Sequence, residues 1–336
     1  MKKLLLLFIA SISLMFSACT QNSFKEYISA VNKTSNIQKG QNSLKMNVKN
    51  SYDLEGASKE EIRQLNYFKN LELKNNVKFD KKNKQIIARN YMNLGGMGFD
   101  TNYYQNKDQH FVKMPMLGKY FLVDDEVKNA QKEDIDNDNN LSDIFKELER
   151  NWISILKEKD VVTGKDTLIS TEDGEVKVKE FKIQLNDSQL KKLLEKSLDV
   201  IEKEGFIEKI IKQSEYMNNN PIKYNETEVD INEGIKDFRN KLKDMKFESF
   251  DYKGYIDIDG YIIQEDIKVK AKFKDSKKDK ITESIMEIQT KNWSIEKKQE
   301  FDFPKLNKTN ILKKEELEQG IPYIFKDFSN KEVEEE

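Results

Sequence analysis

Few residues in this chain can do chemistry, and their scarcity excludes whole classes of reaction. Cys19 is the single thiol and His110 the single imidazole among 336 residues. A zinc centre takes several nitrogen or sulfur ligands, so a histidine-rich metal site is excluded. A Ser-His-Asp mechanism would have to run through His110. That residue sits in Gln109-His110-Phe111-Val112-Lys113-Met114, whose alternation reads as a strand with His110 on its solvated side. Carboxylates are abundant, at 60, and two of them flanking a cleft would suit glycan hydrolysis, but spacing singles out no pair. The run Asp134-Ile135-Asp136-Asn137-Asp138-Asn139-Asn140 has the oxygen-rich texture of a calcium loop. An EF-hand needs glycine at its sixth position and glutamate at its twelfth, where this chain has Asn139 and Phe145, so the run reads as a solvated loop entering a helix. Gly96-Met97-Gly98 lacks the third glycine of a dinucleotide fingerprint, and Gly164-Lys165-Asp166 lacks the hydroxyl and earlier glycine of a phosphate loop. No catalytic residue, metal ligand or cofactor is expected.

The thiol has a different setting. Lys2 and Lys3 are followed by an apolar stretch from Leu4 to Phe16, and Ser17-Ala18 precede Cys19. This is the pattern of a secretory signal peptide, with an apolar run shorter than the roughly 20 residues a spanning helix needs. Phe16-Ser17-Ala18-Cys19 resembles the lipobox of bacterial lipoproteins, with Phe where Leu is commonest. The resemblance implies that residues 1–18 are removed and that Cys19 is diacylated with palmitate-type chains, becoming the mature N-terminus. The protein would then sit on the extracytoplasmic side of the cell membrane. An ordinary cleaved signal with an incidental cysteine is the alternative. Residues 1–18 carry two lysines and no acid, so the formal charge of −2 becomes −4 on their removal. Such a balance does not draw the chain to nucleic acid. With Cys19 acylated no disulfide can form, and stability must come from the core.

The remainder divides by hydrophobic period. Thr20 to Asn22 leave a short tether before Ser23, which can cap a helix carrying Phe24, Tyr27, Ile28 and Val31. From Leu44 the period becomes two: Leu44, Met46 and Val48, a short helix over 58–70, then strands near 71–79, 85–93, 97–104, 110–116 and 120–123. Ile144, Phe145, Leu148, Trp152 and Ile155 form one stripe of a helix over 141–157. Residues 160–186 read as a hairpin turning at Glu172-Asp173-Gly174, with a bulge near Lys179-Glu180. Ser188 is expected to cap a helix ended by Gly205; Phe206 to Ile211 and Ile235 to Met245 carry further helical stripes. The C-terminal third alternates most strictly: Phe250, Tyr252, Ile256 and Ile258 on one face, Ile267, Val269, Ala271 and Phe273 among lysines, then strands over 281–290 and 293–303. The expected fold is α+β: one curved antiparallel sheet, an unclosed half-barrel, with helices over its concave face. A single domain over 24–315 would follow the signal (1–18) and the lipidated tether (19–23), with a charged tail over 316–336.

This order of elements resembles the LolA/LppX-type lipoprotein fold. Gly254-Tyr255-Ile256-Asp257-Ile258-Asp259-Gly260-Tyr261-Ile262 and Lys291-Asn292-Trp293-Ser294-Ile295 are similar to phrases in Lys- and Asn-rich lipoproteins of low-GC Gram-positive bacteria in that superfamily. The resemblance implies an apolar concave face that holds lipid or another hydrophobic ligand, without catalysis. Met97, Phe99, Met114, Met116, Leu117 and Phe121 are the candidate cavity residues, because methionine adapts to irregular apolar partners and Gly95, Gly96 and Gly98 would let this edge move. An ordinary packed core is the plainer account of the same residues. An interaction lipoprotein of the cell envelope, binding an unidentified protein through the polar sheet face, is the alternative function.

Overall fold

A computed structural model describes residues 23–107, 109–115, 118–122, 138–203, 231–273 and 281–312; side chains are described within these except at 114, 138–142 and 231–233. Met116, Leu117, Cys19, most of the acidic run and the 206–211 stretch fall outside them.

Among the described residues five α-helices accompany eleven strands. Helix α1 covers residues 23–35; strand β1 is Lys39–Tyr52; α2 is Lys59–Tyr67. Then come β2 (Asn70–Asp80), β3 (Gln85–Leu94), β4 (Met97–Asn106), β5 (Gln109–Met114) and β6 (Lys119–Leu122). Helix α3 is Asp138–Ile155, followed by the hairpin β7 (Val161–Thr171) and β8 (Gly174–Ile183), α4 (Asp187–Lys203) and α5 (Ile231–Asp244). Strands β9 (Met245–Asp257), β10 (Ile262–Phe273) and β11 (Ile281–Trp293) complete the set.

All strands join one open antiparallel sheet in the order β6-β5-β4-β3-β2-β1-β11-β10-β9-β8-β7. Two meanders run in opposite directions from the centre, where β11 pairs with β1 along most of its length, Leu44 facing Thr290 and Val48 facing Met286. The sheet curls: Asp173 at the β7–β8 tip accepts hydrogen bonds from Ser294 N and Oγ at 2.8 and 2.9 Å and pairs with Lys297 at 2.9 Å, beyond the end of β11. This is the expected unclosed half-barrel.

The helices cover one face over the β7–β10 half. Tyr27 and Ala30 of α1 lie with Leu156, Val161, Phe181, Ile183, Tyr252, Ile256 and Ile262 in the main core, with Trp152 of α3 packed against it. A second cluster joins Leu242 of α5 and Leu194 of α4 to Met245 and Ala271. Local chemistry sets the helix starts. Ser58 and Glu61 form a reciprocal capping box on α2. Asn186, rather than Ser188, caps α4, its Oδ1 accepting from Gln189 N at 2.9 Å while Gln189 Oε1 accepts from Asn186 N at 3.2 Å. The buried Asp160 ties three elements together, accepting from Lys157 N at 2.9 Å and Gln189 Nε2 at 2.7 Å.

Three expectations about the strands need correction. The bulge beside Glu180 lies on β7, where the register slips between Thr163 and Asp166. Ile258 does not share the face of Ile256; it is 96% exposed in the β9–β10 turn. And 294–303 is not a strand. The segment crosses the outer face of the N-terminal half instead: Glu300 O accepts from Lys78 Nζ at 2.9 Å, Phe301 and Phe303 stack at 5.6 Å, and Asn310 O accepts from Tyr120 N at 2.8 Å at the β6 edge. Below that strap the stacked pair Tyr104–Phe111, 4.9 Å apart, meets Tyr120 edge-on. A covered edge of this kind is protected against pairing with a second chain.

Candidate functional site

The period of two and the register together decide what each sheet face presents. Tyr252 lies in the helix-covered core, and its face is followed across the sheet from partner to partner. Tyr252 faces Ile267, Ile267 faces Ile288, Met46 faces Ile288 and Leu73, and Leu73 faces Met92, which faces Phe99. One residue pair further along, Val269, Met286, Val48, Leu71, Leu94 and Met97 form a second apolar row. Both rows are half-buried for the most part, and Met92 is 41% exposed. Helices α1, α3, α4 and α5 pack on β7–β10, and α2 sits beside β2 and the β3–β4 turn, so the rows are only half-buried across β1–β4.

The candidate residues divide accordingly. Met97 and Phe99 lie on this inner face, and Phe121 joins it through Val112 and Tyr103. Met114 pairs with Lys119 in the β5–β6 ladder, and Met116 and Leu117 lie outside the described residues. The same face also presents Leu44, Met46, Val48, Leu71, Leu73, Met92, Met286 and Ile288. The β3–β4 turn is docked rather than loose. Gly95 has φ 57°, and a Cβ there would lie 2.6 Å from Tyr67 Cα of α2. His110 is not on the solvated side either: it is half-buried on the inner face, its Nδ1 2.8 Å from Tyr103 Oη.

The opposite face is polar. A groove of about 610 Å3 there is lined by Lys45, Asp251, Lys253, Asp266, Lys268 and Glu287 among others, with Lys268 and Glu287 paired at 2.7 Å.

A chain of hydrogen bonds, buried at Tyr27–Tyr252 and part-buried at either end, connects the helical core to the inner face. Trp152 Nε1 donates to Tyr27 Oη at 3.0 Å, Tyr27 Oη to Tyr252 Oη at 2.8 Å, and Tyr252 Oη to Glu265 Oε1 at 2.6 Å. Glu265 Oε2 accepts from Thr290 Oγ1 at 2.9 Å. Burial, reinforced by the Glu265 carboxylate, pushes both phenols well above the ordinary tyrosine range. They are fixed, neutral hydrogen-bonding groups at physiological pH. Among the described residues no three His, Cys, Asp or Glu side chains group as a metal site, and no helix is long and apolar enough to cross a membrane.

Fold and site together define an open antiparallel half-barrel, capped by helices over one half, with an apolar inner face and a charged outer one. No family model matches the chain, and no curated protein does. Among solved structures the chain is similar to a putative outer membrane lipoprotein-sorting protein domain from Vibrio parahaemolyticus, at 5% identity and TM-score 0.19 over 82% of this chain and 94% of that one. A DUF1329 family protein from Desulfovibrio piger has 7% identity and TM-score 0.19 over 81% and 91%.

Proposed function

We propose that this is a lipid-anchored extracytoplasmic protein that holds a lipid or other hydrophobic ligand on the inner face of its half-barrel and performs no chemistry on it. The observation that carries the reading is the pair of apolar rows that the described helices leave half-exposed, since such patches on soluble folds are usually binding surfaces. The lipobox at Cys19 supplies the anchor and the membrane address. The mature chain, residues 20–336, purified without detergent from a lipid-containing host, should show a reproducible adduct of lipid mass by native mass spectrometry. Met92→Glu and Phe99→Glu, at half-exposed positions, should abolish the adduct and leave the circular dichroism spectrum unchanged. A bare chain mass, together with no uptake of an apolar dye, overturns the reading.

A second reading is favoured by one observation, the charged groove on the outer face. There the chain is an interaction lipoprotein whose Lys45, Lys253 and Lys268 with Asp251, Asp266 and Glu287 meet a complementary envelope protein. Charge reversal at Lys253 and Lys268 would then remove a crosslinked partner and leave ligand uptake intact.

A further inference from the structure

Glu265 is a half-buried carboxylate held only by neutral groups. It faces inward on β10, two residues from Ile267, with Gly254 and Thr290 as its partners on β9 and β11. Ile267 packs against the main core, so Glu265 lies where the helix-covered half gives way to the half-buried apolar rows. Tyr252 Oη donates to its Oε1 at 2.6 Å and Thr290 Oγ1 to its Oε2 at 2.9 Å. Gly254 makes room for this arrangement: a Cβ there would lie 3.1 Å from Tyr252 Oη. Tyr252 is fixed in turn by Tyr27, at 2.8 Å, so the carboxylate is held in place before any ligand arrives.

Those two bonds need an acceptor, not a charge. A glutamine would supply one, whereas an ionised carboxylate at a half-buried position gives up hydration that only a cation offsets well. The inner-face positions around it on β9, β10 and β11 carry Tyr252, Gly254, Ile267, Ile288, Thr290 and Asn292, none of them a cation. Lys179 of β8 is already paired with Glu26 of α1 at 2.8 Å. Lys119 lies on β6, seven strand spacings away in the sheet order. A carboxylate offers about four lone-pair sites, so the two hydroxyls leave room for the N–H donors of a ligand.

Resting on the carrier reading above, we propose that Glu265 is the headgroup site of the ligand face and that it takes a primary ammonium group. The ligand is then an amphiphile of the amino-lipid class. Its ammonium donates to the free lone pairs of Glu265, a charge-assisted bond about twice as strong as the one an alcohol would make there. Its chain runs away from the helices along Ile288, Met46, Leu73, Met92 and Phe99. From β11 to β4 that row is about 19 Å long, enough for an acyl chain, which spans roughly 15 Å in one leaflet of a bilayer core.

The test is displacement of an apolar dye from the mature chain at about pH 7.5 by dodecylamine, protonated there as a lysine side chain is, and by 1-dodecanol. The amine should bind at least about tenfold tighter, a difference of about 1.4 kcal/mol. Glu265→Gln keeps an acceptor for Tyr252 and removes the charge, so it should bring the two probes within about threefold of each other and leave dye affinity unchanged. Glu287→Gln, on the outer face beside Lys268, should leave the preference in place. In the parent chain, carbodiimide should couple bound dodecylamine to Glu265, read as an amide on that residue by tandem mass spectrometry. Equal binding of the two probes, a preference that survives Glu265→Gln or falls with Glu287→Gln, or coupling confined to other acids overturns the ammonium site and leaves the carrier reading standing. Failure of dye and both probes to bind overturns the carrier reading itself.

Discussion

Tyr27 ties a helix to the sheet through a buried hydroxyl. It accepts from Trp152, donates to Tyr252 and fills the contact between α1 and the sheet with no exposed surface. Tyr27→Phe keeps the ring and strips the hydroxyl, leaving the indole N–H without an acceptor. The expected cost is about 1–3 kcal/mol, the penalty of an unsatisfied buried donor, read as a lower urea midpoint at unchanged slope. The same residue sets an alkaline limit. Both phenols have folded-state pKa values raised above the unfolded one, so the stability they contribute is complete below about pH 10 and falls as the pH rises beyond it. Tyr27→Phe should be less stable than the parent at neutral pH yet lose less on going from pH 8 to 11, which thermal melts across that range will show. At this scale the sequence was only partly readable. Tyr27 was visible as one of a helical stripe, but its partners are 225 and 125 residues away, and nothing local marks Glu265 as the end of their chain.

At the scale of elements, the glycine pair between β3 and β4 separates two effects. Gly95 and Gly96 both have positive φ, but only Gly95 abuts α2, whereas a Cβ on Gly96 meets open space. Gly96→Ala should cost about 1–2 kcal/mol for the left-handed backbone. Gly95→Ala should cost roughly 1–3 kcal/mol more, because Tyr67 backbone must move. It should also raise hydrogen exchange in α2, while equal melting points for the two variants would refute the docking. The hairpin latch gives a second test. Burial at the β7–β8 tip acts to raise the Asp173 pKa, but its bonds to Lys297 and Ser294 outweigh that and hold the pKa below the ordinary aspartate value. Its stabilising contribution is thus present above about pH 4 and lost as the pH falls through the folded-state value. The gap in Tm between the parent and Asp173→Asn should be open at pH 6 and close toward pH 3. Element types were legible because alternation and capping are local: Leu44-Met46-Val48 and the box at Ser58 sufficed. The strap over 294–312 was not, since Phe301 and Phe303 alternate like a strand yet stack on each other, and whether a segment pairs or crosses a face depends on neighbours far away in sequence.

Across the whole molecule, the proposed anchoring and the proposed ligand burial are mechanically separable. Ser23 is buried, and α1 is seated on β8–β10 from its first turn onward. The three residues between Cys19 and Ser23 can span at most about 14 Å even when extended, so an acylated Cys19 would hold the half-barrel against the headgroups. In the proposed anchor Cys19→Ser removes the acyl acceptor, and it leaves every residue of the described core unchanged. The substituted chain should fail to incorporate an alkyne-palmitate label and should leave the membrane pellet for the soluble fraction. It should melt at the parent temperature and take up the same apolar ligand in solution, because anchoring and ligand burial draw on different residues. What it should lose is delivery: exchange of bound lipid with vesicles should slow markedly, since an untethered carrier must find the surface by diffusion. A Cys19→Ser chain that still labels and pellets would remove the anchor from the account. One that exchanges lipid as fast as the parent would show that nearness to the bilayer is not what the short tether provides.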